Sequence, residues 1–424
     1  MMTVNSVGMH APTGEISMTN ETKVNMTFNT TGNHKHIRVF GEVEDNTMAQ
    51  AWAIAENSDM LVLMADNHLG YSMPIGGVAL YRNHVSPTAV GYDIGCGNQA
   101  VRLGIREGVV RRDLVKYVDL IKSTFHFGVG GWMEGGQFPE VFMHEEYKPA
   151  WEYIKEHIEF RRGKRDTSPI NPFVFAKGQI GTIGGGNHYI DLFIDDDHDV
   201  WAGVHFGSRG FGYQIADHFI ERGKVEGHEV AGGAVLLPID QDIAIEYIAC
   251  MTLAQAYASE HRRLVCNKIA EVFNVSINDR VENHHNFAEY ARNVGGWLHR
   301  KGATANKPGK VSFVGGSMGD VSYIIKGKEN PDEQVKAMFS TIHGAGRVMG
   351  RMEAKGRKGK PGAVTQTMQD EWVGGVDHGK GVLVVGAGVD ESPQCYKRID
   401  KVIEYHKATV EIVCTLTPIA VVMG

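Results

Sequence analysis

The sequence predicts a single domain of mixed α and β structure, with a functional cleft built from glycine-rich loops at the ends of strands. Apolar runs of strand length recur along the chain, for example at 60–66 and 199–205. The stretch 240–273 contains no glycine or proline and repeats apolar residues at helical spacing, which predicts one long helix or two in tandem. Because strands and helices mix without regular βαβ alternation, we expect one α/β or α+β domain over 23–424.

In the first quarter of the chain, the polar residues 1–22 predict a loosely ordered extension. An alternating pattern begins at Val24 and predicts strands, and a helix is expected at 48–57. The apolar run 60–66 predicts a buried strand, and 90–104 predicts a strand, a glycine-flanked turn and a second strand. Both of these segments deliver polar side chains to one presumed site.

The rest of the chain mixes helices with strands. Amphipathic or charged patterns predict helices at 111–124, 145–162, 333–339 and 394–406. An apolar run at 173–193 surrounds a glycine-rich turn, and two strands are expected to close the chain after residue 408. The strand predicted at 199–205 ends at a histidine, so we expect the chemistry to lie at strand ends.

Composition limits the classes of function. The chain has 424 residues, of which 42% are hydrophobic and 22% charged, and its 52 glycines concentrate in motifs where backbone can approach a ligand closely. The net charge of −7 excludes general electrostatic attraction to nucleic acid, so any such contact requires a local basic patch. The basic runs 161–165 and 355–360 are candidates, although runs of this kind are more often solvated surface loops.

Five cysteines are scattered along the chain. Their odd number and wide spacing argue against a disulfide framework and favour a reducing compartment, which we expect to be the cytoplasm. No stretch approaches roughly 18 uninterrupted apolar residues, and the N-terminus has no apolar signal core, so we expect no membrane segment. The thiols are therefore available as metal ligands or as core residues.

The motif GYDIGCG at 91–97 predicts half of a metal site. Asp93 and Cys96 lie three residues apart, and the glycines around them allow backbone angles that bring a carboxylate and a thiol to one small space. Three histidine-centred stretches follow: GGGNHYID with His188, GVHFGSRG with His205, and ENHHNFAEY with His284 and His285. One Asp, one Cys and three His suit two divalent ions, with the thiolate able to bridge them.

A core role is the alternative for each of these residues. Cys96 would then be a buried apolar thiol, and the histidines would be satisfied by main-chain groups. If the residues do bind metal, ligand type favours Zn²⁺ first and Mn²⁺, Fe²⁺ or Co²⁺ next, and spacing cannot choose between them. Neighbouring residues on an extended segment point to opposite sides, so only one of His284 and His285 is expected to face the metals.

Four more polar or glycine-rich stretches follow in order. They are HRKGAT at 299–304, GGSMGDVSY at 315–323, HGAGR at 343–347 and DESPQCYK at 390–397. In register with the four stretches above, they closely resemble the RtcB family, RNA ligases that join a 3′-phosphate or 2′,3′-cyclic phosphate end to a 5′-hydroxyl end. The resemblance extends from about residue 37 to the end of the chain.

The resemblance implies two Mn²⁺ ions, with Asp93 and His188 on one ion, His205 and His285 on the other, and Cys96 bridging. Here His285 is chosen over His284 because it is followed by Asn286, as in the His-Asn pair of the family. Such an ion pair can position and neutralise a phosphoryl group while activating the attacking oxygen.

His343 opens the HGAGR stretch, and the glycines after it keep the ring accessible to a bulky group. A neutral imidazole is a competent phosphoryl acceptor, although a loop histidine that only binds phosphate is the alternative. The resemblance implies that His343 attacks the α-phosphate of GTP and carries GMP, that an RNA 3′-phosphate takes the GMP, and that the 5′-hydroxyl of another strand displaces it. Arg347 is a candidate to support phosphate charge. GTP and RNA ends are the implied partners, and an activating protein is left open.

The resemblance also implies a guanylate pocket. Its residues are Asn187, His188, Asp191, His285, Asn286, Gly315, Gly316, Ser317, Met318, Ser322, His343, Gly344, Ala345, Gly346 and Met423. Glycine amides and Ser or Asn side chains suit phosphate and ribose oxygens. This chain departs from the family pattern with Asp191 for Glu, Gly315 for Pro, Ala305 for Arg and Met423 for Lys. The change at Met423 removes a hydrogen-bond donor that touches the nucleotide in the family.

Three functions are therefore weighed. The first is a GTP- and metal-dependent RNA ligase of the RtcB type, acting in RNA repair or tRNA splicing. The second is a binuclear metal phosphoesterase, because a two-metal site can hydrolyse a cyclic phosphate without a nucleotide adduct. The third is a weakened RNA-end-binding protein, in which the altered pocket no longer charges His343.

Overall fold

Two β-sheets frame the protein. This computed structural model describes residues 37–134, 139–163, 167–357, 360–373 and 381–424. The extension expected at 1–22 and the strand predicted from Val24 lie outside the described residues. Across the described parts of the chain, no helix combines the length and apolar character needed to cross a bilayer.

The smaller sheet has five strands. In spatial order they are Ile37–Val39, Met60–His68, Ile75–Tyr81, Gly296–Lys301 and Asn286–Ala291. The first two strands are parallel, and the other neighbours are antiparallel. Met60–His68 is buried except at its last residue, which confirms the buried strand predicted at 60–66. This strand carries Asp66, fully buried, to the site described below.

The larger sheet has eight strands. Seven follow one another in space as Ile277–His284, Gly97–Arg106, Asp199–Phe206, Tyr189–Ile194, Val410–Met423, Ser322–Gly327 and Val311–Val314, and Leu383–Val385 pairs beside Val410–Met423. The first and seventh strands also contact each other. Asn283 Oδ1, on the first, accepts a hydrogen bond of 2.8 Å from the main-chain N–H of Phe313, on the seventh. Asn98 Nδ2 donates to the Phe313 carbonyl at 3.2 Å. The sheet therefore curls back on itself.

Short ribbons and helices complete the described structure. The ribbons pair His84–Val85 with Leu237–Pro238, His126–Phe127 with Thr182–Gly184, Phe160–Arg161 with Pro169–Ile170, Glu229–Val230 with Ala234–Val235, Ala303–Ala305 with Ser340–Ile342, and Gly356–Arg357 with Lys360–Pro361. The α-helices are Asp45–Ala55, Pro87–Val90, Glu107–Arg112, Leu114–Thr124, Lys148–His157, Pro172–Gln179, Arg209–Val225, Asp242–Phe273, Pro331–Lys336, Arg351–Lys355, Gln366–Val373 and Ile399–Glu404.

The run predicted at 240–273 is one helix and not two in tandem. Asp242–Phe273 is continuous over 32 residues, and it ends where Asn274 adopts a left-handed conformation with φ 54°. Most of its buried side chains are apolar, as the helical spacing predicted. Two polar residues, His261 and Arg262, are also fully buried on this helix, and Arg262 contacts the site.

The prediction of a strand just before the glycine-flanked turn is wrong. Pro87–Val90 forms a short helix there, because Ser86 Oγ caps it by accepting the Ala89 N–H at 3.2 Å and Pro87 has no N–H to offer a sheet. All four helical residues are buried, which is why their apolar pattern resembled a strand. The second strand of that prediction is confirmed as Gly97–Arg106.

Other predicted helices exist with different bounds. Those predicted at 48–57, 111–124, 145–162, 333–339 and 394–406 are Asp45–Ala55, Leu114–Thr124, Lys148–His157, Pro331–Lys336 and Ile399–Glu404. The helix predicted at 333–339 ends at Lys336, because Met338 and Phe339 have positive φ angles of 47° and 49°. The two closing strands are a single strand, which passes Pro418 at a register shift opposite Phe193, where a missing N–H is tolerated.

Candidate active site

The turn before the strand Gly97–Arg106 presents Asp93 and Cys96 to one space. The Cys96 N–H donates to the Asp93 carbonyl at 3.1 Å, which closes the turn. Gly95 has a φ of 69°, and a Cβ atom there would lie 3.0 Å from Gln255 Cα on the long helix. The turn therefore requires glycine both for its backbone angle and for space.

Asp93, Cys96 and His188 form one cluster of donor atoms. Their candidate ligand atoms all lie within 4.8 Å of one another. The Nε2 atom of His188 is 3.2 Å from Asp93 Oδ2 and 3.8 Å from Cys96 Sγ. The Nδ1 atom of His188 is 3.1 Å from the Ile183 carbonyl oxygen. When Nδ1 donates to that oxygen, Nε2 keeps a lone pair that a metal can take.

Cys96, His205 and His285 form a second cluster, again with donor atoms within 4.8 Å of one another. The Sγ atom of Cys96 is 3.4 Å from His205 Nε2, and the His285 N–H donates to the Cys96 carbonyl at 2.8 Å. The rings of His205 and His285 meet edge to face with centroids 5.0 Å apart. Cys96 belongs to both clusters, so its sulfur is a candidate ligand for two ions at once.

This donor set suits divalent cations. Burial lowers the pKa values of His205 and His285 well below the usual value, so both rings are neutral and able to ligate. Burial alone would raise the pKa of Asp93, but the hydrogen bond and charge of His188 hold it at about 2, so the group is a carboxylate. Among the described residues, His285 Nδ1 is buried without a hydrogen-bond partner, as expected of an atom that binds a ligand.

Burial and the adjacent Asp93 carboxylate raise the pKa of the Cys96 thiol. A free thiol at this position therefore stays protonated at neutral pH. A bound cation reverses this balance, because its charge favours the thiolate at short range. Ionisation of Cys96 is thus expected to accompany metal binding, with release of a proton.

Arg262 contacts one of the two adjacent histidines, His284, and not the other. Its Nη1 atom donates to the carbonyls of Gly95 at 2.9 Å and Phe206 at 2.8 Å, and its Nη2 atom lies 3.0 Å from His284 Nδ1. His284 therefore faces a buried arginine, whereas His285 faces the donor atoms of the second cluster. The structure places one of the pair in the cluster, and it is His285; its role as a metal ligand stays a prediction.

His343 is held by Asp66. The Nδ1 atom of His343 lies 2.6 Å from Asp66 Oδ2, which also accepts the His343 main-chain N–H at 2.9 Å. Burial alone would raise the pKa of Asp66, but the charge and hydrogen bonds of His343 outweigh it and lower the pKa below its usual value. An ionised Asp66 keeps the ring proton on Nδ1, so the lone pair lies on Nε2, as a nucleophilic role would require.

Small residues clear the space around the His343 ring. Gly346 has a φ of 75°, and a Cβ atom there would collide with the Asp66 carbonyl oxygen. A Cβ atom on Gly302 would lie 3.1 Å from His343 Cε1. The ring centroids of His343 and His285 are 4.9 Å apart, so the candidate nucleophile is a direct neighbour of the second donor cluster.

One cavity of 690 Å³ joins the donor clusters to His343. The predicted nucleotide residues that line it are Asn187, His188, Asp191, His285, Asn286, Gly315, Gly316, Ser317, Met318, His343, Gly344, Ala345, Gly346 and Met423. Ser322 is not among its lining residues; its Oγ accepts the Gly316 N–H at 3.0 Å and so shapes the GGSM loop. Ala305 is buried in a ribbon strand and does not line the cavity either.

Similarity to known proteins extends over nearly the whole chain. A sequence model of the family described as tRNA-splicing ligase RtcB matches residues 29–424. The chain belongs to the RtcB family. A Pyrobaculum aerophilum protein named tRNA-splicing ligase RtcB is 29% identical over 86% of this chain and 87% of its own length. The Escherichia coli K12 protein named RNA-splicing ligase RtcB is 27% identical over 86% of this chain and 90% of its own.

Beyond the RtcB family motifs, the structure adds two residues that sequence reasoning did not assign. Asp66 was only the last residue of the strand predicted at 60–66, and Arg209 was part of GVHFGSRG without a role. Arg209 Nη1 lies 2.8 Å from His188 Nδ1, so it competes with Ile183 for that nitrogen. The available signals were a polar residue near the end of an apolar strand and an arginine inside the histidine-containing motif GVHFGSRG.

An arginine pair borders the same cavity in this RtcB-family chain. Arg347 donates to Glu391 at 3.2 Å and to the Tyr396 hydroxyl at 2.9 Å. Arg351 pairs with Asp390 at 3.0 Å and also contacts Glu391. Both acids are buried and come from the DESPQCYK stretch, which thereby gains a role: it fixes two guanidinium groups beside the cavity.

Proposed function

We propose that this protein is a GTP- and Mn²⁺-dependent RNA ligase that joins 3′-phosphate or 2′,3′-cyclic phosphate ends to 5′-hydroxyl ends, in RNA repair or tRNA splicing. The observation that supports this most directly is the position of His343 beside two donor clusters that share Cys96. Membership of the RtcB family supports the reaction class. A nucleophile and a metal pair in one cavity suit the transfer of phosphoryl groups.

The donor atoms would hold two cations. Asp93, Cys96 and His188 would hold one, and Cys96, His205 and His285 the other. Two such cations position phosphate oxygens and neutralise their charge. We propose Mn²⁺ on the strength of the family resemblance, since donor types alone suit Zn²⁺ as well. Asp93 and an ionised Cys96 supply two negative charges that offset part of the charge of the two ions.

His343 would take up the nucleotide. Its Nε2 atom attacks the α-phosphorus of GTP, a nitrogen–phosphorus bond forms, and the bond to pyrophosphate breaks. Asp66 holds the proton on Nδ1 throughout and stabilises the positive charge that develops on the ring. The glycines around the ring leave room for the bound GMP.

The RNA ends would then react in two steps. An oxygen of the RNA 3′-phosphate attacks the same phosphorus, and the bond to His343 breaks, which regenerates the free imidazole. The 5′-hydroxyl oxygen of the second strand next attacks the RNA 3′-phosphorus, GMP leaves with the bonding electrons, and the hydroxyl proton passes to solvent. A cyclic phosphate end is first opened by water to a 3′-phosphate. Arg347 and Arg351 supply positive charge for these phosphates at the cavity.

A paired assay tests the proposal. GTP labelled in its α-phosphate is incubated with the protein and Mn²⁺, and cleavage of an RNA cyclic phosphate is followed in parallel. A ligase forms labelled protein, a phosphoesterase opens the ring without label, and an end-binding protein does neither. Label should be absent from His343→Ala and present in His198→Ala. His198 is a matched control, because its exposed side chain lies in the turn between the strands Tyr189–Ile194 and Asp199–Phe206.

We also propose the cytoplasm as the compartment of the protein. All five cysteines are free in the structure, and Cys96 must be reduced to bind a metal. An oxidising compartment would place this shared ligand at risk of oxidation.

A further inference from the structure

Three tyrosine rings form a row at the surface that the reaction steps above do not use. Tyr92 lies in the middle, and its ring centroid is 5.7 Å from that of Tyr71 and 5.0 Å from that of Tyr213. The rings of Tyr92 and Tyr213 are nearly parallel, with 22° between their planes. Tyr71 is 57% exposed and Tyr213 is 46% exposed, so both ends of the row reach solvent. A single exposed ring needs no explanation, but contiguous exposed aromatic surface is typical of a binding site.

Two of the three segments that carry the row also line the cavity. Leu69 and Asp93 are lining residues of the cavity that contains His343. Tyr71 lies two residues after Leu69, and Tyr92 directly precedes Asp93. The Leu69 side chain is exposed, so this part of the lining lies at the mouth of the cavity. The row therefore continues the surface of the cavity outward.

The third segment is the helix Arg209–Val225. It begins at Arg209, whose Nη1 atom lies 2.8 Å from Nδ1 of His188 in the first donor cluster. Tyr213 follows four residues later, about one turn of helix away. This end of the row is therefore also close to the donor cluster, and all three rings are placed by segments that reach the site.

Two lysines near the row already have partners. Lys301 is buried beneath Tyr71, with its Nζ atom 5.9 Å from the ring centroid, and it donates to the main-chain carbonyl of Tyr71. Lys224, which interacts electrostatically with Tyr71, pairs with Glu221 at 2.6 Å. These two cations therefore offer little attraction to a phosphate at the row, whereas the flat face of an uncharged ring requires none.

Asp217 adds an acidic group to the same surface. Burial and the nearby Asp217 carboxyl raise the pKa of the Tyr213 hydroxyl, so the ring is neutral at physiological pH. A carboxylate repels phosphate but does not repel the face of a neutral nucleobase. Every base has a π face, so stacking on an aromatic ring is available to each of them. The row therefore suits bases and leaves the phosphates to the cavity.

We propose that the row of Tyr71, Tyr92 and Tyr213 is a stacking platform for unpaired bases of an RNA strand whose end reacts in the cavity. The platform holds the strand by the faces of its bases, and the cavity holds the terminal phosphate or hydroxyl. The ligand is therefore a single-stranded end, since a base inside a duplex has both faces covered by its neighbours. This inference rests on the proposed function, because it takes an RNA end as the ligand of the cavity.

Equilibrium binding of a short single-stranded RNA with a 5′-hydroxyl and a 3′-phosphate tests the platform. Its affinity is measured by fluorescence anisotropy with Mn²⁺ and without GTP. Tyr213→Ala should weaken binding by about tenfold, the contribution of one stacked base, whereas Tyr213→Phe keeps the ring and should stay within about twofold of the natural chain. Tyr290→Ala is the matched control, because Tyr290 is equally exposed but packs against Trp297 on the smaller sheet. Equal affinity for Tyr213→Ala and the natural chain would overturn the inference.

Abasic RNA separates stacking from any other effect of the ring. An RNA that keeps its phosphates but lacks the bases near both ends should bind the natural chain about tenfold less tightly. Tyr213→Ala should then cause no further loss, because the two changes remove the same contact. The dependence of affinity on salt should also be the same for Tyr213→Ala and the natural chain, because no phosphate contact is removed. A further tenfold loss on abasic RNA, or a slope shallower by about 0.7, would show a contact other than stacking and overturn the inference.

Binding without GTP also separates this inference from the proposed function. If the protein forms no GMP adduct and joins no RNA, while affinity still depends on the Tyr213 ring and on the bases, the proposed function fails and the platform stands. If ligation proceeds while affinity depends on neither, the platform fails and the proposed function stands; the row then serves another ligand, such as a protein. Absence of measurable RNA binding by the natural chain would likewise overturn the platform.

Discussion

Cys96 is the single residue on which both donor clusters depend, because its sulfur belongs to each. Cys96→Ser replaces a group that ionises beside a cation with a hydroxyl that stays protonated, so the negative charge between two ions is lost. We expect fewer than two Mn²⁺ per chain and loss of ligation, measured by elemental analysis of the purified variant. Cys266→Ser, at a buried cysteine in a helix core, is the control. Two ions per chain with normal ligation in Cys96→Ser would contradict the shared role.

The adjacent histidines give a second comparison at the scale of residues. His285 faces Cys96 and His205, whereas His284 faces Arg262. His285→Ala should therefore lower ligation by about a hundredfold or more, and His284→Ala, which removes only a neighbour of the site, by about tenfold. Ligation rates and metal content of the two variants are measured together. The reverse order would move the ligand assignment by one residue.

Asp66 acts on His343 through a hydrogen bond, so its removal should affect one step more than the others. Asp66→Asn loses the ionised acceptor that holds the proton on Nδ1, and the formation of the GMP adduct should slow by on the order of a thousandfold. Metal content should not change, because Asp66 belongs to neither donor cluster. Asp59→Asn, at an exposed carboxylate that pairs with Arg82 just before the strand Met60–His68, is the control. An unchanged rate of adduct formation would exclude the orienting role.

Sequence reasoning reached the donor residues but not Asp66, the residue that holds the His343 ring. Asp93 and Cys96 were predictable because a carboxylate and a thiol lie three residues apart among glycines. Asp66 lies 277 residues before His343 in the chain, and only the meeting of two distant segments gives it a role. Ser322 illustrates the same limit in reverse, since its hydroxyl binds the loop and not the cavity.

At the scale of elements, the HGAGR loop depends on one backbone conformation. Gly346 has a positive φ and no room for a Cβ atom beside Asp66. Gly346→Ala should displace the loop that carries His343, lower adduct formation by about a hundredfold and destabilise the protein by about 1–3 kcal/mol. Gly350→Ala, four residues on and with nothing within 4 Å of an added Cβ, is the matched control. Equal activity and thermal stability for both variants would show that the loop tolerates the change.

Elements were predictable where one period dominated the sequence. The helix Asp242–Phe273 follows from apolar residues at helical spacing without an interruption. Pro87–Val90 did not, because four consecutive buried residues fit a strand as well as a helical turn, and the cap by Ser86 decides between them. The single strand Val410–Met423 was divided in two at Pro418, although a register shift there accommodates the proline.

At the scale of the whole molecule, the order of the strands lay beyond sequence reasoning. The larger sheet places Val410–Met423, from the end of the chain, between Tyr189–Ile194 and Ser322–Gly327. No local pattern specifies such neighbours, because each pairing is set by contacts between distant segments. The closing contact between Asn283 and Phe313 is of the same kind, because it joins residues 30 positions apart in the chain.

The overall charge makes a prediction about RNA. The molecule carries −7, and acids already neutralise much of the positive charge beside the cavity, since Lys355 and Arg351 each lie 3.0 Å from Asp390. The basic runs 161–165 and 355–360 lie partly outside the described residues. A small number of phosphates should therefore be neutralised, and the footprint on RNA should be short.

Each phosphate neutralised on a single strand contributes a slope of about −0.7 to the logarithm of affinity against the logarithm of salt concentration. For a short footprint we expect a total slope of about −1 to −3, measured by fluorescence anisotropy of a labelled RNA with a 3′-phosphate end. Arg351→Gln should make the slope shallower by at most about 0.7, because it removes a guanidinium that lines the cavity but is already paired with Asp390. Arg106→Gln, at an exposed arginine paired with Asp199, should leave the slope unchanged. An affinity independent of salt would exclude backbone charge as the feature that positions the ends, and a slope steeper than about −5 would show a diffuse footprint instead of a short one.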